Sequence, residues 1–369
     1  MEFKIKKEPF LQALSWTQSI VERKTTMPIL SNALFHITKN KLSILATDLE
    51  VAVHVTVNVE TQEEGKICIQ AKNLFDIVRE LPDQEIIIQR KEQNRIQVIA
   101  GKSQFKIIGL SVEEFPQLPQ FDENKSSLIE ARGLREMIDK TFFSISSDES
   151  RYNLHGVFLE KAEANNIRLV ATDGHRLSYV ERELGQGFGI EKGVIIPKKA
   201  VSELRKLTLY GDVEEGVKIS IDGRNLFAQK GAITLIARLI DGEFPEYQKV
   251  IPKRQDKHII LSRNEMIGAL KRVSLLVGDR TRGVKFSFSS GSLELSSSNL
   301  DLGEAKEEIS IGYKGENLQV GFNSRYFLDV LGVIEEENFI LEINGHVGPC
   351  VIRSTKDPTF FSVIMPMRI

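Results

Sequence analysis

The strongest constraint on this chain is that it repeats itself. Residues 169–177 read Leu-Val-Ala-Thr-Asp-Gly-His-Arg-Leu. Residues 46–48 read Ala-Thr-Asp after the apolar Leu42, Ile44 and Leu45, so Ala46 and Ala171 stand 125 residues apart. An apolar, β-branched run that stops at Thr-Asp-Gly is a strand ended by a tight turn, and Gly174 can take a backbone state that most residues avoid. A weaker third copy, Leu-Glu-Leu-Ser-Ser-Ser-Asn-Leu-Asp at 293–301, begins 251 residues after Leu42, close to twice the first spacing. Phe-Pro pairs at 115–116 and 244–245, 129 residues apart, close the first two copies. A period of this size is a domain, and three domains of roughly 120 residues can each bury a core. The expected boundaries are 1–122, 127–251 and 252–369.

Periodicity fills in each copy. Phe10, Ala13, Leu14, Thr17 and Val21, behind Pro9, predict an amphipathic helix over 8–22. Val51, Val53, Val55, Val57 and Val59 alternate strictly, which predicts a strand with one face buried. A second helix is expected over 72–81, with Leu74, Phe75, Val78 and Leu81 inward and Pro82 as its stop, followed by strands at 85–90, 95–100 and 104–110. In the second copy Leu134, Met137, Ile138 and Thr141 mark a helix, strands fall at 154–159 and 167–172, and Pro197 opens a helix with Val201, Leu204 and Leu207 inward. Strands at 217–221, 225–229 and 234–239 complete it. In the third, Ser262 and Glu265 form a capping box ahead of Met266, Leu270 and Val273. Strands at 284–289 and 292–297, a helix bearing Tyr326, Phe327, Val330, Leu331 and Ile334, and strands at 339–343 and 350–354 follow. The expected class is α+β: three tandem copies of a domain in which two helices pack on antiparallel sheet.

Composition excludes several functions. No apolar run approaches the ~20 residues of a membrane span, and the N-terminal Met-Glu-Phe-Lys-Ile-Lys-Lys lacks a signal peptide's apolar segment, so a cytoplasmic protein is expected. Cys68 and Cys350, the only cysteines, are too few for a disulfide framework or a thiolate metal site and read as buried apolar thiols. A net charge of −2 and a pI near 6.4 argue against gripping nucleic acid by bulk positive charge. Catalysis has one sharp candidate, Asp173 with His175, echoed by Asp48 and Glu50, but no nucleophile motif, phosphate-cradling glycine loop or metal-spaced cluster appears among six histidines. Basic residues gather at Lys198, Lys199, Arg205 and Lys206 against Glu203, and at Lys271 and Arg272, as a phosphate-tracking surface requires or as an ordinary solvated face allows. The chain closes on Met365-Pro366-Met367-Arg368-Ile369, an apolar end suited either to core packing or to walling a groove for a partner's side chains.

Taken together, the triplication, the Ala-Thr-Asp-Gly-His-Arg-Leu segment, the Asp-Gly-Glu-Phe-Pro-Glu-Tyr segment at 241–247 and the terminal Met-Pro-Met-Arg-Ile resemble the bacterial sliding clamps, the β subunits of DNA polymerase III, over the whole chain. The resemblance implies a head-to-tail homodimer closing as a six-domain ring around double-stranded DNA, with helices lining the hole. It implies a non-catalytic processivity factor of the polymerase III holoenzyme, without cofactor or metal. The implied partners are the polymerase III catalytic subunit, the clamp loader, translesion polymerases and mismatch-repair proteins. These would be held by a short peptide in a pocket walled by Leu154, Thr172, Gly174, His175, Arg176, Leu177, Pro245, Val250, Val363, Met365, Pro366, Met367 and Arg368, with Asn323, Tyr326 and Val347 beside them. Lys24, Lys72, Tyr152, Lys198 and Lys199 match DNA-contacting positions, while Asn153 stands where the family often has a second Tyr and Asp148 replaces a neutral residue. Phe105 and Ile107 of the first domain would meet Leu275 and Leu276 of the third domain of the other protomer across the dimer contact. A ring holds duplex by topology, which makes weak bulk charge compatible with DNA binding. The rival readings are a monomeric interaction scaffold and a hydrolase built on Asp173 and His175.

Overall fold

The computed structural model describes residues 1–21, 26–163, 166–183, 190, 192–212, 214–253, 257–278, 282–345 and 348–368. Their contacts gather into two compact units, one within 1–132 and 202–239, the other within 133–184, 190–201 and 240–369. The middle repeat is thus shared between units, and backbone hydrogen bonding is the reason. In the first unit the strand Val51–Asn58 pairs antiparallel with Ile233–Arg238, Val53 opposite Leu235. Late strands of the second repeat thereby extend the sheet of the first into one of 13 strands, from Ser127–Ile129 at one edge to Glu60–Glu63 at the other. In the second unit Arg176–Glu183 pairs with Phe360–Ile364, Leu177 opposite Val363, inside an eight-stranded sheet. A separate four-stranded sheet orders Gly303–Ser310, Ser292–Asn299, Gly283–Ser289 and Leu318–Asn323.

Six α-helices occur among the described residues, two per repeat: α1 (Lys7–Ile20), α2 (Ala71–Glu80), α3 (Ala131–Phe142), α4 (Lys198–Thr208), α5 (Arg263–Val273) and α6 (Ser324–Val333). The inward stripe of α1 is Phe10, Ala13, Leu14, Trp16, Thr17 and Ile20, and Phe10 meets Phe3 and Phe35 edge-on at 6.1 and 6.4 Å. This helix stops short of the expected residue 22 because Val21 turns extended while its N–H still reaches Thr17 O. At the end of α2, Leu81 precedes Pro82, whose ring disfavours helical backbone in the residue before it, and Leu81 is extended at ψ 151°. Ser262 caps α5, its Oγ accepting from Glu265 N at 3.5 Å. In the third repeat, Phe286, Phe322 and Phe327 form a mutual aromatic contact with centroids 4.8–5.2 Å apart.

Two expectations need adjustment. The strand predicted from residue 154 begins at Gly156, because Tyr152–Leu154 forms a 3-10 turn; Leu154 is buried from that turn. The strand Gly303–Ser310 gives no alternating signal, since Gly-Glu-Ala-Lys-Glu-Glu-Ile-Ser carries charge at four of its eight positions, as suits a strand at a sheet edge. Both cysteines are buried, and burial pushes the Cys68 thiol up to about 12 and Cys350 further, so both are poor nucleophiles at neutral pH.

Candidate functional site

The Thr-Asp-Gly-His-Arg segment forms a self-locked turn between two strands of the second unit. Asp173 Oδ1 accepts from the backbone N–H of His175 at 2.9 Å and of Arg176 at 3.0 Å. Thr172 Oγ1 donates to Arg176 O at 2.6 Å and accepts from Gly174 N at 3.1 Å. Asp and Thr are the residues that close such turns with their own side chains. Gly174 sits at φ 89°, a backbone state that glycine takes without strain, and the flexible end of Arg151 lies beside it.

The turn fixes Arg176. Its guanidinium donates from Nε to Asp173 Oδ2 at 3.0 Å, from Nη1 to Asp329 Oδ2 at 2.6 Å and from Nη2 to Phe143 O, and it lies 4.4 Å from the Tyr326 ring centre. At 8% exposure it is a buried clamp between this turn and α6. The expected polar handle for a ligand is therefore spent on structure. Asp173 is equally committed: its two oxygens hold the turn and Arg176, which leaves it badly placed to act on the His175 ring as an acid–base pair would require.

Around this turn the structure arranges the remaining residues by exposure. Leu177 and Val363 are buried in one cluster with Val170, Tyr247, Val351 and Phe361. Met365 N donates to His175 O at 2.9 Å, tying the C-terminal segment directly to the turn, and Met367 N donates to Gly321 O at 2.9 Å. His175, Pro245, Val250, Met365 and Arg368 are exposed, while Pro366 and Met367 are half-buried. Pro245 and Val250 flank the buried Tyr247, whose segment packs by Phe244 against Phe158, rings stacked at 4.7 Å. Asn323 caps α6, accepting from Arg325 N at 3.0 Å, and Tyr326 serves as the platform beneath Arg176. Val347 lies outside the described residues. The exposed set is thus three apolar residues, Pro245, Val250 and Met365, one imidazole and the Arg368 side chain. Sequence reasoning missed Asp329 and Phe143 as supports of the turn, since they lie far from it in the chain.

The basic residues are fewer than the sequence count suggests. Lys198 extends over the Phe142 ring at 5.9 Å, and Tyr152 is 56% exposed with its hydroxyl against Gly242. Lys72 is half-buried near the start of α2, Lys199 occupies the second position of α4, and Lys24 lies outside the described residues. Asn153 donates from Nδ2 to Glu243 O at 3.1 Å. Hydrogen bonds from the Ser150 hydroxyl and N–H hold the Asp148 carboxyl below its usual range. By contrast Lys206 turns inward, its ammonium 4.0 Å from the Trp16 ring and 3.2 Å from Ser19 Oγ, and Arg272 is paired with Glu307 at 2.7 and 3.0 Å. At the expected dimer contact Phe105 is 38% and Leu275 76% exposed, with Ile107 and Leu276 half-buried; Ile108, which the sequence reading passed over, is 76% exposed. Among the described residues no three His, Cys, Asp or Glu side chains are gathered to hold a metal, and no helix is long and apolar enough to cross a membrane.

Comparison with known proteins places this architecture. Models of the N-terminal, central and C-terminal domains of the DNA polymerase III beta subunit match residues 1–119, 128–246 and 248–368, in that order. The beta sliding clamps of Pseudomonas aeruginosa and Escherichia coli K12 are 35% and 31% identical to the chain, each over the full length of both proteins. A DnaN sliding clamp from Bartonella birtlesii, crystallised bound to griselimycin, superposes with a TM-score of 0.95 at 34% identity, and the clamp of Bacillus subtilis with 0.94 at 29%; each comparison covers all of this chain and at least 99% of the other. With three domain models in register and full-length identity above 30%, the chain belongs to the family of DNA polymerase III beta subunits, the beta sliding clamps.

Proposed function

We propose that two copies of this chain close head to tail into a ring of six domains around duplex DNA, and that the ring tethers replication and repair proteins as a non-catalytic, cytoplasmic accessory subunit of the polymerase III holoenzyme. The observation that carries this reading is the match of three beta-subunit domain models, in order, across the chain. Domains at 1–122, 127–251 and 252–369 are the units of the ring. A net charge of −2 suits a tether that is retained by topology and slides without reading bases, with Lys24, Lys72, Tyr152, Lys198 and Lys199 meeting phosphates.

Ring closure has candidate surfaces. The strand Ser103–Leu110 bonds along its second edge only at Gly109 and Leu110, and Gly303–Ser310 ends its sheet. Two eight-residue edges pairing between protomers satisfy their backbone groups, with Phe105 and Ile107 against Leu275 and Leu276 as the apolar contact. The peptide site is the surface around the 172–177 turn. Leu154, Leu177 and Val363 form its floor; Thr172, Gly174 and Arg176 hold its shape. His175, Pro245, Val250 and the segment Met365, Pro366, Met367 and Arg368 form its rim, with Asn323 and Tyr326 at one side. It takes an extended segment with apolar anchors from the polymerase III catalytic subunit, the clamp loader, translesion polymerases or mismatch-repair proteins.

Loading by a cognate clamp loader onto nicked circular DNA, followed by gel filtration at moderate salt before and after linearisation, tests the tether. Retention on circles and loss from free ends is expected. Equal retention on both forms would replace the ring by a directly binding scaffold.

A further inference from the structure

Two residues of the proposed rim, Pro245 and Val250, stand on a stretch with little structure of its own: residues 241–253 contain one 3-10 turn, Tyr247–Val250, and no strand. The sheet beneath holds them. Three adjacent antiparallel strands set Glu160 opposite Arg168 and Arg168 opposite Glu181, and two residues along they set Phe158 opposite Val170 and Val170 opposite Tyr179. A separation of two puts both rows on one face. Phe244 lands on the lower row, its ring stacked on Phe158 with centroids 4.7 Å apart and planes 3° from parallel. Three residues on, Tyr247 reaches the upper row. Arg168 Nη1 donates to its hydroxyl at 3.0 Å and to Glu160 Oε1 at 2.8 Å, and the hydroxyl itself donates to Glu160 Oε1. Glu181 Oε2 holds the other side of the guanidinium, 3.2 Å from Nε and 2.9 Å from Nη2.

Tyr247 is 3% exposed, while Pro245 and Val250 on either side of it are open to solvent. The residue that orders the rim is therefore not one that a ligand can touch. Burial, and after it the Glu160 carboxylate, raise the Tyr247 hydroxyl well above the usual phenol range, so it stays a donor at neutral pH. A loop fixed to a rigid sheet by such a bond presents its exposed side chains already in place, which lowers the ordering cost of binding.

We propose that Glu160, Arg168 and the Tyr247 hydroxyl are positioning residues of the docking surface, which hold Pro245 and Val250 ready for a partner's apolar anchor without meeting it. The inference rests on the reading of the 172–177 surface as that docking site, and the test separates the two. The synthetic peptide acetyl-Gly-Leu-Asp-Leu-Gly-amide is titrated calorimetrically into the full chain and its variants, and deuterium exchange is followed at the backbone amides of 246–251. Tyr247→Phe keeps the ring in the core and should weaken the peptide about fivefold, the net contribution of one hydrogen bond, with faster exchange in that segment. Tyr179→Phe is the control. Its hydroxyl donates to Glu181 at 2.7 Å in the same network but does not tether the segment, so affinity and exchange should stay as in the parent. Arg168→Gln should match Tyr247→Phe and add little to it in the double variant, because both break one chain of contacts. Should Arg168→Gln fail to fold, the two tyrosine variants decide alone. Equal losses of affinity in Tyr247→Phe and Tyr179→Phe would show a general softening of the sheet and overturn the positioning role, as would unaltered affinity in Tyr247→Phe. Absence of binding to the parent would instead overturn the 172–177 surface as a receptor for such a segment, and this role with it.

Discussion

At the scale of residues, the 172–177 turn holds two neighbours with opposite duties: Arg176 is buried and bonded to Asp173, Asp329 and Phe143, while the His175 ring is exposed. Thr172, Asp173 and Gly174 announce a turn because every bond that closes it lies within four residues. Arg176 reads in sequence as a polar handle, yet its decisive partner, Asp329, is 153 residues away and comes to it only through the fold. The same blindness turned Lys206, which packs on Trp16, into an apparent phosphate contact. The two neighbours in the turn should therefore respond differently to truncation. Arg176→Ala leaves Asp173 and Asp329 without their shared cation and should destabilise the protein by about 3 kcal/mol, seen as a lower urea midpoint. His175→Ala removes an exposed ring, so the unfolding free energy should stay within roughly 0.5 kcal/mol of the parent's while partner-peptide affinity falls. A His175→Ala protein with unchanged peptide affinity would remove the imidazole from the site.

At the scale of elements, amphipathic periodicity located helices and strands but gave no pairing between them. Val51 to Val57 reads as one half-buried strand; that it joins Ile233–Arg238 of the next repeat is a tertiary fact that makes two contact units from three sequence repeats. Charged side chains do similar joining in the second unit. Lys140 on α3 donates to Asp357 at 2.8 Å, Arg182 donates to Glu136 of α3 at 2.7 Å, and Arg182 also bonds Asp357. Burial alone would raise the Asp357 carboxyl, but hydrogen bonds from Arg182, Lys140 and Thr359 outweigh it and hold the group well below the usual carboxylate range; Glu136 is lowered by the same two cations. A carboxyl depressed in the folded state contributes stability that is present above its unfolded value, about 4, and lost as pH falls through the folded value. Asp357→Asn should cost roughly 2 kcal/mol at pH 7, with the deficit relative to the parent shrinking steadily below about pH 4. Melting temperatures of both proteins across pH 2–8 check this; a deficit independent of pH would show that the carboxylate's charge contributes nothing.

At the scale of the whole molecule, the repeat and the terminal segment were enough to recognise the family, while the edge strands proposed for ring closure left little pattern in the sequence. The reason is physical: an edge strand avoids the alternating apolar signature that would make it aggregate, so half of Gly303–Ser310 is charged and Ser103–Leu110 shows only scattered large side chains. The exposed leucine Leu275 and the exposed Ile108 remain as the apolar remnants, both 76% accessible in the single chain. If those surfaces meet in the dimer, each buried leucine or isoleucine contributes about 1.5–3 kcal/mol, and a carboxylate placed there loses that contribution and must also be desolvated. Leu275→Glu with Leu276→Glu should therefore give a monomer of 41.7 kDa by sedimentation equilibrium, at concentrations where the parent sediments at twice that mass. Phe105→Glu with Ile107→Glu, which share one face of the opposite strand, should do the same without touching the 172–177 surface. Monomers that still bind partner peptide but no longer persist on nicked circles would separate tethering from docking, whereas a dimer surviving both substitutions would place the ring contact elsewhere.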